Sequence, residues 1–157
     1  MMEFIQNRLR CRRGNAMLEF ALSASLLIPL FLGTFQFGYS FYVYNLLSTQ
    51  VRAGARYASL KTFPPSQVTA WKTAVKNVVL YGNSAGTGTV LEPGLTAAQI
   101  DVEIKDPSGV NADSSNVPYY VTVSTINYSV DAVVTTFNFN GKPIANFPYL
   151  GRYAPGE

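Results

Sequence analysis

The chain has 157 residues, 48% of them hydrophobic, 13% aromatic and only 13% charged, about half the charge of an ordinary globular domain. That balance excludes global disorder, argues against a wholly water-soluble protein, and leaves room for one modest domain rather than a multidomain enzyme. Histidine is absent and Cys11 is the lone cysteine, so a histidine general base, Cys/His zinc sites and an internal disulfide are excluded.

The net charge of +3 lies in the first fourteen residues, where Arg8, Arg10, Arg12 and Arg13 stand against Glu3; the rest of the chain is balanced. A short basic arm of this kind addresses membranes. A nucleic-acid-binding protein would spread its charge over a folded face, so no nucleic-acid partner is expected. From Phe20 to Val51 there is no Asp, Glu, Lys or Arg across 32 residues. A helix from Phe20 to Phe41 would be roughly 33 Å long against a hydrocarbon thickness of about 30 Å. The pattern therefore predicts a transmembrane segment at about 20–42, in contact with membrane lipid, with a buried core helix as the alternative. Phe35, Phe37, Tyr39, Phe41, Tyr42 and Tyr44 crowd its far end, as aromatic rings do at headgroup depth. The arginines before the span favour a cytoplasmic N-terminus, although Arg52, Arg56 and Lys61 beyond it weaken the contrast. The apolar run is too long for a removable secretory signal, and the Ala53-Gly54-Ala55 sequence after it is flanked by arginines.

Gly14 ends the basic arm and Glu19 stands at the lip of the apolar run. A carboxylate inside a membrane helix costs up to about 2.5 to 3.5 kcal/mol at the centre and less near the end, so a cationic partner would offset it. If the arm were cut after Gly14, the new α-amine of Asn15 would be such a partner, on the same chain or on a packed neighbour. The plainer alternative is a helix N-terminal acid in the headgroup region, favoured by the partial positive charge of the first turn.

Beyond the membrane, Leu46, Leu47, Val51, Ala55 and Ala58 continue the helical pattern up to Pro64-Pro65. A helix from Asn15 to Leu60 would be about 69 Å long. Pro29 removes one backbone hydrogen bond and is expected to kink or loosen this rod, with Ser25 placed to help satisfy the freed carbonyl. Ala53, Gly54, Ala55 and Ala58 permit close helix contact, either with another subunit or with the chain's own domain.

Together the segments RRGNAMLEFAL and FGYSFYVYNLLSTQVRAGARYAS, separated by the apolar run containing Pro29, resemble the TadE-like pseudopilins, or minor pilins, of tight-adherence (Tad/Flp, type IVc) pilus systems. The resemblance covers roughly residues 12 to 59, and more loosely NVVLYGNSAGTG and PGLTAAQIDVEI. It implies cleavage by a prepilin peptidase between Gly14 and Asn15, which makes Glu19 the fifth mature residue and Phe20 the sixth. It also implies that Glu19 guides assembly through a neighbour's amino terminus, and that the partners are other Tad pilins, met through their N-terminal helices, and an inner-membrane assembly platform. The mature first residue would be Asn15, so the N-methyl-phenylalanine of other type IV pilins does not carry over.

Downstream, Pro65 and Ser66 open a second helix whose apolar stripe is Val68, Trp71, Val75, Val78 and Val79, opposed by Lys72, Lys76 and Asn77, with Gly82 as its C-terminal cap. The glycines of the following NSAGTGT loop lack phosphate-binding spacing, as does Gly141-Lys142. From Gln99 the period becomes two: IDVEI and YYVTVSTINYSV read as strands and AVVTTFNF as a third, with Asp106-Pro107-Ser108-Gly109 as a type I turn. Asp101, Glu103, Asp106 and Asp113 lack calcium-loop spacing and read as strand-face and turn acids. Phe147, Tyr149 and Tyr153 read as core or subunit contacts.

The sequence thus predicts an α+β protein: a basic cytoplasmic leader at 1–14, a long helix at 15–62 and a periplasmic domain at 63–157 built of a short amphipathic helix and a small antiparallel sheet. No catalytic residues, cofactor or metal are expected. Assembly of a surface-adherence pilus, by priming or capping the fibre, is the expected work. An unprocessed membrane-anchored adaptor and a type II secretion pseudopilin are the rival readings.

Overall fold

The computed structural model describes residues 2–112, 116–131 and 135–153, with side chains from Asn15 onward. Helix α1, Met2–Leu60, is continuous through Pro29, and its Asn15–Leu60 portion is long and apolar enough to cross a membrane. Its two ends differ in surroundings. From Asn15 to Phe35 the residues are exposed or half-exposed, whereas from Gln36 onward one stripe is buried: Gln36, Ser40, Val43, Leu47, Val51, Ala55 and Ala58. Steps of three and four residues keep these side chains on one face, so the domain hangs on the C-terminal half of the rod.

A 3₁₀ turn, Pro65–Gln67, leads into α2, Val68–Tyr81, where proline supplies the fixed backbone angle that opens a helix. Trp71, Val75, Val78, Val79 and Leu80 are its buried side chains, Val68 is partly buried, and Gly82 closes it in the left-handed region at φ 74°. The contact of α2 with α1 is close at Gly54, where an added Cβ would overlap a methyl group of Val79. The small residues Gly54, Ala55 and Ala58 therefore pack against the chain's own domain, while Ala53 faces outward.

Five strands follow. Strands β1 (Ile100–Lys105), β2 (Tyr120–Thr125) and β5 (Ile144–Pro148) form an antiparallel sheet in the order β1-β2-β5. Val102 pairs with Val123, and Val123 with Ala145, so one face carries the apolar alternates onto α1 and α2. The turn after β1 forms as expected: the Gly109 N–H donates to the Asp106 carbonyl, and the Asp106 carboxylate accepts from the Ser108 and Val110 N–H groups and from the Asn116 amide. Strands β3 (Tyr128–Asp131) and β4 (Thr136–Phe139) make a separate hairpin.

Two details depart from the sequence reading. The run YYVTVSTINYSV is two strands, because Asn127 adopts a left-handed conformation at φ 51° and turns the chain out of the first sheet. Ile144–Pro148 adds a strand that the sequence pattern did not single out. The AVVTTFNF segment contributes only its Thr136–Phe139 part to the described strands; 132–134 lie outside the described residues, as do Asp113 and the last four residues of the GRYAPGE tail. The chain then closes on the end of α1. The Leu150 N–H donates to the Ser59 carbonyl, the Tyr149 hydroxyl lies 2.9 Å from the Lys61 carbonyl, and Phe63 is enclosed by Trp71 and Tyr153 at ring distances of 5.7 and 6.4 Å. Phe147, Tyr149 and Tyr153 are thus partly buried against the core.

Candidate functional site

The candidate site is the N-terminal part of α1. Its backbone is helical on both sides of the Gly14–Asn15 bond. The side chains of Arg8, Arg10, Arg12 and Arg13 lie outside the described residues. Asn15, Glu19 and Phe20 follow on the rod and are exposed. Four residues apart, Asn15 and Glu19 share one face about 6 Å from each other along the axis. An amine created at Asn15 would therefore stand one turn from the Glu19 carboxylate, within reach of it or of the same groups on a neighbouring rod. Among the described residues Glu19 makes no ion pair; the one pair among them is Lys105 with Glu103 at 2.9 Å, on the surface of the sheet.

Around this site the rod presents side chains that the domain leaves uncovered. Met17, Leu18, Phe20, Leu22, Leu26, Leu27, Ile28, Leu30 and Phe31 are all exposed. Apolar side chains gain about 1.5 to 3 kcal/mol each on burial, so a run of this size demands lipid or other helices around it. Pro29 lies inside the run, and the Ser25 hydroxyl donates to the Leu22 carbonyl at 2.8 Å instead of serving its own freed carbonyl. Phe35, Phe37, Phe41 and Tyr42 remain exposed where the run meets the domain.

The structure also brings together residues that the linear pattern does not single out. Gln36 and Ser40, polar members of an otherwise apolar run, are buried beneath the β3–β4 hairpin. The Gln36 amide donates to the Thr135 carbonyl at 3.3 Å and the Ser40 hydroxyl to the Gln36 carbonyl at 3.0 Å. Their spacing of four, in phase with Val43 and Leu47, is the signal that could have marked a packed face. Glu92, in the loop after α2, is buried and accepts a hydrogen bond from the Tyr128 hydroxyl at 3.2 Å. Burial raises the Glu92 carboxyl above its ordinary range, partly offset by that bond, and burial together with the nearby carboxylate pushes the Tyr128 hydroxyl up. Among the described residues no three His, Cys, Asp or Glu side chains gather as metal ligands would.

Comparison with protein families matches residues 14–56 to the family described as TadE-like protein. The matched stretch begins at Gly14 and runs through the exposed apolar part of α1 into the face that carries the domain. No curated protein and no solved structure matches the chain.

Proposed function

We propose that this chain, a TadE-like protein by the sequence of its long helix, is a minor pilin of a Tad/Flp pilus, cleaved after Gly14 by a prepilin peptidase and used to prime or cap the fibre. The observation that carries the reading is the coincidence of the family match with the bare half of the rod: the matched residues include the apolar side chains that the domain leaves exposed.

In the proposed mechanism the uncut chain waits as a single-pass protein in the bacterial inner membrane, its arginine arm in the cytoplasm and its domain in the periplasm. Cleavage removes the arm and exposes the Asn15 amine. Glu19 pairs with that amine or with a neighbour's, so its desolvation is compensated only in the cut form. Phe20 lies beside it on the exposed surface, toward the neighbouring helices. Extraction of the rod from lipid is offset by packing its apolar surface against other pilin helices, brought together at an inner-membrane assembly platform. The work is assembly rather than catalysis, needs no cofactor, and ends in surface adherence.

Support for this reading is tested most directly by the N-terminal residue of the protein recovered from membranes, read by mass spectrometry with and without the peptidase. A mature chain beginning at Asn15 only when the peptidase is present is the expected result; an intact Met1 terminus in both would discard the reading in favour of an unprocessed anchored adaptor. Gly14→Val should block cutting, whereas Glu19→Gln should leave cutting intact and reduce incorporation into fibres.

A further inference from the structure

The β3–β4 hairpin lies along the rod where the apolar run ends, and its two faces are chemically opposite. Tyr128, Val130, Phe137 and Phe139 turn inward, with Phe137 at 6.0 Å from the Phe37 ring and Phe139 at 5.7 Å from the Tyr44 ring. Ser129, Asp131, Thr136 and Asn138 turn outward and are exposed, and Asp131 accepts a hydrogen bond from the Thr136 hydroxyl at 2.8 Å. A two-stranded hairpin also keeps unpaired backbone groups along both edges. Neither an exposed carboxylate nor open strand edges belong in hydrocarbon. Yet Thr135 and Phe137 stand level with Gln36 and Phe37, inside the 20–42 segment that the linear pattern assigns to the membrane.

Below the hairpin the surroundings change at once. A chiefly apolar cleft of about 340 Å³ opens between the hairpin's underside and the rod, lined by Pro29, Leu32, Gly33, Phe37 and Phe137, with Gln36 and Thr135, which hydrogen-bond to each other, also contributing. N-terminal to it, from Asn15 to Phe31, no residue of the rod is buried. The hairpin's polar face and apolar underside thus meet at one level.

We propose that the β3–β4 hairpin stands on the outer leaflet of the bilayer and sets the depth of the rod, with the glycerol-proximal segments of phospholipid acyl chains filling the cleft beneath Phe137 and headgroups bathing Asp131, Ser129 and Asn138. This inference rests on the single-pass reading above and goes beyond it. The hydrocarbon then ends between Gly33 and Gln36. Counting back about 20 residues, the length of helix that fills some 30 Å of hydrocarbon, places the inner boundary near Asn15. The Gly14–Asn15 bond comes to the cytoplasmic lipid surface and Glu19 lies about one turn inside it, which gives a physical reason for the carboxylate to need the amine.

The test is a depth measurement on the full chain, carrying Cys11→Ser, reconstituted in vesicles of phosphatidylethanolamine and phosphatidylglycerol. Nitroxide labels are placed through Leu27→Cys, Phe31→Cys, Phe41→Cys and Asn138→Cys, one at a time, and collisions with oxygen are compared with collisions with a water-soluble nickel chelate. Expected is preference for oxygen at 27 and 31 and a reversal to the chelate at 41 and 138. Preference for oxygen at 41 or 138 would overturn the proposal while leaving the single-pass reading intact; preference for the chelate at 27 would sink both. Adding Phe137→Asp, which detaches the hairpin's apolar face, should let the label at 41 sink and shift toward oxygen. An unchanged label at 41 in that variant would show that the hairpin does not set the depth.

Discussion

Glu92 and Gln50 are buried polar side chains on the domain side of the molecule, and each makes a different claim on stability. The Glu92 carboxyl holds its proton to a higher pH in the folded protein than in the unfolded chain, because burial disfavours the carboxylate. Between the ordinary carboxylate value and the raised one, the native state binds more protons than the unfolded state, so this group's contribution falls as pH rises through that window and is flat above it. Glu92→Gln keeps an acceptor for the Tyr128 hydroxyl and removes the titration. The stability of the natural chain relative to Glu92→Gln should therefore decline with rising pH, read from urea unfolding in mild detergent from about pH 4 to about pH 7. A difference that stays constant across the range would show that the carboxyl is not held neutral. Gln50, 4% exposed on α1, has neither amide atom hydrogen-bonded within the described residues. An unsatisfied buried polar group costs about 1 to 3 kcal/mol, so Gln50→Leu should raise stability by about that amount in the same unfolding experiment. Neither residue could be singled out from the linear sequence: a glutamate beside Pro93 and a glutamine near Arg52 read as surface positions, and only the fold shows that Tyr128 and the core enclose them. Glu19 is the opposite case, visible because a lone acid interrupts an apolar boundary.

Between elements, the decisive contact is α1 against α2 at Gly54. A side chain there would collide with Val79, a β-branched residue with little rotamer freedom. Gly54→Val should destabilise the domain by about 1 to 3 kcal/mol through overpacking, and Val79→Ala added to it should recover part of that loss by vacating the space. Additive losses in the double variant, measured by thermal unfolding, would place the strain elsewhere. Helices of this protein were legible because their periodicity persists over many turns: the stripe through Val68, Trp71, Val75 and Val79 and the cap at Gly82 read directly from spacing. The strands were legible only in part. Alternation identified Ile100–Lys105 and the start of Tyr120–Thr125, but strand period carries no information about which sheet a strand joins. Asn127 is one residue in a favourable β context, and its left-handed turn diverts β3 into a hairpin with β4. Ile144–Pro148 is short and bounded by Pro143 and Pro148, which disguises an edge strand as a turn. The consequence for the site is direct, because that hairpin covers Gln36 and Ser40 and so distinguishes the bare part of the rod from the covered part.

For the whole molecule, the orientation proposed for the membrane would be set by a competition between charges at the two ends of one rod. Arg8, Arg10, Arg12 and Arg13 precede the apolar run, while Arg52, Arg56 and Lys61 follow it, close enough to count in the same rule. The contrast is narrow, so it should be easy to erase. With Cys11 as the lone cysteine, no internal disulfide ties the chain to an oxidising compartment. Replacing the four leader arginines together by glutamine should therefore convert one orientation into a mixture, seen as a fall in periplasmic phosphatase activity and a rise in cytoplasmic fluorescence from C-terminal reporter fusions. Arg52→Gln with Arg56→Gln should leave the natural orientation unchanged or more uniform. A leader without arginines that still sent every domain outward would mean that the apolar run or the folding of the domain decides the topology. If the proposed cleavage occurs, processing should follow orientation in each variant, because the Gly14–Asn15 bond would reach a peptidase acting on the cytoplasmic side only when the arm is inside.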